Sequence, residues 1–188
     1  LAGLLQERGV RLEGRLYSRS HATSPSTILT SDAANQVVFH HLGATTQASY
    51  EAIPETLLDR AEVLLATSFS IMPQMRSDGF AQALRRVHER GGITALDIGP
   101  AIGEPVTLAE LQPLFPYVDY LIGNQHEIIS LTRCVGWRDA ALKLLEQGTH
   151  CVVVKQGSEG SCMMTSAREV HMPAFAVKTN ISVGAGDS

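Results

Sequence analysis

The sequence predicts an α/β fold: a mostly parallel sheet flanked by helices, with a small antiparallel sheet set apart from it. Three observations carry that prediction. From about Glu62 onward, short apolar runs alternate with segments of helical periodicity. That alternation marks strand–helix–strand units and a parallel sheet. Residues 10–47 instead are rich in Ser, Thr and His and show no helical periodicity. Hydrophobic residues make up 44% of the 188 and charged residues 18%, a balance that can bury a continuous core.

Taken in order, residues 1–8 read as a helix. The β-branched stretches Ser26–Thr30 and Gln36–His40 flank the turn-prone Ser31-Asp32-Ala33-Ala34-Asn35, which predicts a hairpin. Residues 62–67 are the first strand of the parallel sheet. A helix over residues 78–90 follows, with Phe80, Ala83, Leu84 and Val87 on one face and Gly91-Gly92 as its stop. Next come a strand at 93–98, a helix near 108–114 capped by Thr107, and a strand at 117–122. Two helices, Gln125–Thr132 and Trp137–Glu146, lead to a strand at 150–154, and residues 161–178 read as two or three antiparallel strands. A parallel sheet of this kind is expected to be covered on both faces. The chain opens at Leu1 on a helix already under way and stops at Ser188 where another would begin. It is expected to be an internal piece of a longer protein.

Composition excludes several function classes. The formal net charge of −4 provides no basic face for nucleic acid, so an anionic ligand must be held by backbone N–H groups and a few placed cations. No apolar run reaches the length of a membrane span, and the opening residues lack the basic start of a signal peptide. A cytoplasmic location is expected. Cys134, Cys151 and Cys162 are odd in number and form no CxxC pair, which argues against a disulfide framework or a zinc site. Cys151 opens an apolar run and reads as a packing residue. His40 and His41 are adjacent, so in a strand they face opposite sides and do not chelate one ion together.

Ligands of open parallel sheets bind where the strands end at their carboxyl side. Three loops there carry unusual chemistry. In Gly184-Ala185-Gly186-Asp187, the glycines let backbone N–H groups approach an anion, with Asp187 beside them as a candidate base. A plain turn with Asp187 as helix cap fits those residues too. In Gly123-Asn124-Gln125-His126-Glu127, Asn124 and Glu127 stand at capping-box spacing, and equally at a spacing that can hold water around Mg²⁺. In Val152-Val153-Val154-Lys155-Gln156-Gly157-Ser158-Glu159-Gly160, a strand ends at a lysine able to neutralise phosphate as a point charge, or simply to be solvated.

In this order, Asn-x-x-Glu, Val-Val-Val-Lys-x-Gly-x-x-Gly and Gly-Ala-Gly-Asp resemble the PfkB, or ribokinase-like, carbohydrate kinases. Leu42-Gly43-Ala44 is similar to the segment closing that family's β-lid, and residues 61–65 and 94–97 to its next two core strands. The resemblance implies a single truncated ribokinase-like domain over residues 1–188, with 10–47 as the β-lid. It implies ATP-dependent phosphorylation of a sugar hydroxyl with Mg²⁺, and a homodimer through the β-lid. Asp187 would be the catalytic base and Gly184, Ala185 and Gly186 the anion hole. Asn124 and Glu127 would organise metal and phosphate, while Lys155, Gly157 and Gly160 lie near the nucleotide.

The departures matter too. Ile181-Ser182-Val183 stands where family members carry Asp-Thr-Thr, so the loss of that Asp at Ile181 puts a monovalent-cation site in doubt. Residues 98–101, Ile-Gly-Pro-Ala, lack the Asn and Arg of some acid-sugar kinases in the family. The family's Gly-Gly substrate region and adenine-binding helices fall outside residues 1–188, so no substrate residue is assigned and the isolated chain is expected to be poorly active. A nucleoside kinase of the same superfamily and a non-catalytic ligand-binding module are the alternatives. A dinucleotide-binding oxidoreductase is disfavoured, since no GxGxxG occurs.

Overall fold

A computed structural model describes residues 2–14, 18–30, 36–99 and 105–176. Helix α1 (Ala2–Glu7) leads to the antiparallel pair β1 (Ser26–Thr30) and β2 (Gln36–His40), in register from Ser26 opposite His40 to Thr30 opposite Gln36. The turn expected between them, residues 31–35, lies outside the described residues. Helix α2 (Glu55–Arg60) then leads to the first strand of the main sheet.

That sheet has six strands in sequence order: β3 (Val63–Ala66), β4 (Ile93–Asp97), β5 (Tyr120–Asn124), β6 (Cys151–Lys155), β7 (Ser161–Met164) and β8 (Glu169–Met172). The first four run parallel and the last two are antiparallel additions. Between β3 and β4, a π-helical turn (Met75–Gly79) feeds helix α3 (Phe80–His88), later than its periodicity alone suggests. Gly91, at φ +82°, ends the helix, and Gly92 N–H returns to the Val87 carbonyl at 3.0 Å.

Helix α4 (Leu108–Leu111) is shorter than expected. A capping box from Thr107 and Glu110 starts it, but Pro113 and Pro116 donate no hydrogen bonds and the chain tightens into a 3₁₀ stretch, Gln112–Tyr117. Strand β5 therefore begins three residues later than the apolar pattern indicates. Helices α5 (Gln125–Thr132) and α6 (Trp137–Glu146) have the expected bounds.

Alternation decides where the core sits. Ala66, Leu96, Leu121, Val152, Val154, Cys162 and Met164 point to one face and pack in a single cluster with Phe80 and Leu84 of α3, Ile128 and Leu131 of α5, and Ala141 and Leu144 of α6. Each fully buried Leu, Val or Phe there stabilises the fold by about 1.5–3 kcal/mol. The expected cover on both faces is met on one only among the described residues. On the other face, Val63, Leu65, Ile93 and Tyr120 are exposed.

The amino edge of the sheet is tied by Asp119. Its Oδ2 accepts Thr94 N–H at 2.8 Å and the Thr94 hydroxyl at 3.1 Å, while Oδ1 lies 3.7 Å from His88 Nδ1 and 3.5 Å from His150 Nδ1. Burial works against this carboxylate, but the Thr94 donors and the imidazoles outweigh it and hold its pKa below the ordinary value.

Candidate active site

The carboxyl edge gathers a different set of charges. Asn124 is the last residue of β5 and the N-cap of α5, an arrangement that turns strand directly into helix. Its Oδ1 accepts Glu127 N–H at 2.9 Å, and its own N–H donates to Glu127 Oε2 at 2.7 Å. The capping box is thus formed in full. Gly123 makes room for it: a Cβ there would come within 3.1 Å of Ile128 and Ile98 and 3.4 Å of Glu127 Oε2.

Lys155 lies one position beyond the strand expected from the apolar run. It is the last residue of β6 and pairs in register with Asn124. Its Nζ donates to both oxygens of Asp97, at 3.2 and 3.3 Å, across the intervening strand β5. Asp97 closes β4 and is paired with Ile122. Burial raises the pKa of Glu127; the Asn124 N–H and the Lys155 ammonium pull it back, and Asp97 pushes it up again. Lys155 is thus paired with Asp97 and acts on Glu127 only through space, in a half-buried place.

The structure thus brings Asn124, Glu127 and Lys155 together. Gly157 and Gly160 follow in the turn after β6, at φ +61° and +94°. A Cβ on Gly157 would meet nothing within 4 Å, whereas one on Gly160 would fall on the Met172 carbonyl oxygen. Gly160 is therefore required by close chain approach, whatever else it does. Ile181, Gly184, Ala185, Gly186 and Asp187 lie outside the described residues.

Asp97 is the residue that sequence reasoning missed as part of the site. Its signal was present: an acidic residue ending an otherwise apolar strand, at the edge where ligands bind. Ser68, just beyond β3 on the same edge, adopts a left-handed φ of 63°, an uncommon conformation for a residue with a side chain. A separate cavity of about 340 Å³ lies at the base of the hairpin, lined by Gln47, Ser49, Ile53, Met72 and Met75 among others, and Asn124, Glu127 and Lys155 take no part in it.

Chemically, the edge offers hard oxygen ligands and, in Lys155, an ammonium. Among the described residues no group of three or more His, Cys, Asp or Glu side chains is arranged to hold a metal by itself. Mg²⁺ demands less than that, since it keeps several waters and uses one or two carboxylates together with substrate phosphates. The Glu127 carboxylate, held in place by the Asn124 capping box, fits that requirement, while Asp97 is engaged by Lys155.

Comparison with known proteins follows the same line. The chain is 35% identical over 75 residues to a deoxyribokinase of Salmonella typhi, a match covering 37% of this chain and 24% of that protein. The crystal structure of adenosine kinase from Sinorhizobium meliloti superposes with a TM-score of 0.82 at 20% identity, covering 99% of this chain and 57% of the other. The structure of Arabidopsis thaliana ribokinase complexed with ribose and ATP gives 0.71 at 20% identity, covering 89% and 54%. The chain thus spans little more than half the length of these solved structures, and their likeness shows a ribokinase-like fold. Residues 1–188 match the pfkB family of carbohydrate kinases along their whole length, and the chain belongs to that family.

Proposed function

We propose that the protein containing this chain transfers the γ-phosphoryl group of ATP to a hydroxyl of a sugar. The observation that carries this reading is the meeting of Asn124, Glu127, Lys155 and Asp97 at the carboxyl edge of the sheet. Phosphoryl transfer asks for positioning and charge stabilisation rather than covalent chemistry, and that edge supplies oriented charge. Lys155 faces the phosphates, and Gly157 and Gly160 shape the turn beside the nucleotide. The two carboxylates and one ammonium sum to a net negative charge, which repels a bare triphosphate. Bound Mg²⁺ would reverse that sign and polarise the phosphoryl group. Asn124 orients the Glu127 carboxylate through the capping box, so Glu127 holds the water shell in a fixed place.

Asp187 is the proposed base for the acceptor hydroxyl, with the N–H groups of Gly184, Ala185 and Gly186 around the phosphoryl oxygens. The experiment is Asp187→Asn in the full protein. Loss of the base lowers the catalytic rate roughly 10²–10⁴-fold while MgATP affinity stays nearly unchanged. Unchanged turnover would reduce Asp187 to a helix cap and defeat the proposal.

The hairpin is proposed as a lid that also pairs two copies. Thr27 opposite Phe39 and Leu29 opposite Val37 share one face, and Leu29, Val37 and Phe39 stand 57%, 54% and 60% exposed. A two-stranded ribbon is marginal alone, so a second copy laid on that face would stabilise it. Phe39→Glu should then convert dimer to monomer in sedimentation, and a wild-type protein that is already monomeric removes the idea. Among the described residues no helix is long and apolar enough to cross a membrane, and all three cysteines are free, which suits the reducing cytoplasm.

A further inference from the structure

Lys155 does not stand alone at its strand end. Neighbouring strands lie about 4.8 Å apart, so β4 and β6, with β5 between them, are separated by roughly 10 Å at this edge. The Lys155 stem spans that gap and delivers its ammonium almost symmetrically to both oxygens of Asp97. Registers show the path: Asp97 pairs with Ile122 and Lys155 with Asn124, so the ion pair crosses β5 diagonally just before α5 begins. The side chains are only 31% and 20% exposed, which screens the pair less than a surface contact. A lysine has four rotatable bonds and no preferred direction of its own. Asp97 supplies the direction.

We propose that Asp97 is a positioning residue, holding the Lys155 ammonium across the end of β5 so that it meets the phosphates of an incoming nucleoside triphosphate. Asp97 acts through Lys155 and touches neither substrate nor nucleotide. This inference rests on the kinase reading above. Its physical content is pre-organisation: the orientation of Lys155 is fixed before the nucleotide arrives, so less freedom is lost on binding.

Simple electrostatics makes the opposite prediction, because removing a negative charge beside a phosphate site should tighten binding. That opposition makes the test sharp. Asp97→Asn, Lys155→Met and the double variant are compared in the full protein by calorimetric MgATP binding, with urea unfolding to confirm that each is folded. Lys155→Met is expected to weaken MgATP binding about tenfold, as loss of one charge-assisted contact does. Asp97→Asn is expected to weaken it several-fold, and to add almost nothing once Lys155 is already Met. Tighter binding by Asp97→Asn overturns the proposal. So does an equal loss with and without Lys155, which would make Asp97 a direct ligand of the metal or nucleotide. If the wild-type protein binds no MgATP, the kinase reading itself fails. Wild-type binding with additive variants removes only the role of Asp97.

Discussion

The two edges of the main sheet carry similar side chains in opposite circumstances. At the amino edge, the Asp119 carboxylate receives the Thr94 N–H and hydroxyl and faces two imidazoles, and its pKa is held below the ordinary value. At the carboxyl edge, the Lys155 ammonium is paired with Asp97 and reaches Glu127 only through space, and burial leaves the Glu127 pKa raised. Among the described residues, the first edge has more donors than charge, and the second has more charge than donors. A fold selected for stability alone would satisfy both. The difference teaches that the amino edge is built to hold strands together, while the carboxyl edge keeps an unbalanced charge that a ligand can complete.

The largest test of that contrast is Asp119→Ala. Removing the carboxylate strands the Thr94 N–H in a buried place, and the expected loss is about 1–3 kcal/mol in urea unfolding. MgATP affinity should not move, since Asp119 stands at the far end of the strands. A change in nucleotide affinity would break the comparison from the amino side.

Acid titration sharpens it further. A lowered folded-state pKa means that the stability contributed by Asp119 is present above its unfolded value and is lost as pH falls through the folded one. Asp119→Asn should therefore flatten the acid limb of the stability curve below about pH 4. Glu127 runs the other way. With its folded pKa raised, its contribution is complete below the unfolded value and fades as pH rises through the folded one.

The smallest expected effect follows from that sign. Glu127→Gln keeps an oxygen for the Asn124 N–H but removes the poorly compensated charge. It should raise stability at pH 7 modestly, by roughly 0.5–2 kcal/mol, with the gain disappearing toward pH 4. Its MgATP binding should weaken at the same time. A variant less stable at pH 7 than at pH 4, relative to wild type, would show that the capping box and not the charge dominates at this position.

Much of this was legible in the sequence. The strand–helix alternation located all four parallel strands, and the bounds of α5 and α6 were plain from Gln125 to Thr132 and from Trp137 to Glu146, because caps and periodicity are local properties of the chain. The hairpin strands were equally plain. Errors arose where local signals competed. An apolar run from Tyr117 looked like strand, but Pro113 and Pro116 kept it in a 3₁₀ turn; the run ending at Val154 hid the membership of Lys155 in β6.

The sequence by itself determined the family, the succession of strands and helices along the chain and the presence of Asn124, Glu127 and Lys155 at strand ends. Motif spacing is one-dimensional, and it survives without knowledge of the fold. Only the tertiary structure decided what those residues meet. Asp97 and Lys155 lie 58 positions apart, and their pairing depends on β4 and β6 flanking β5, an order written in no local pattern. The same holds for the face of the sheet that the helices cover, and for the sign of the Glu127 shift. Charge balance is a sum over neighbours in space, and those neighbours come from distant parts of the chain.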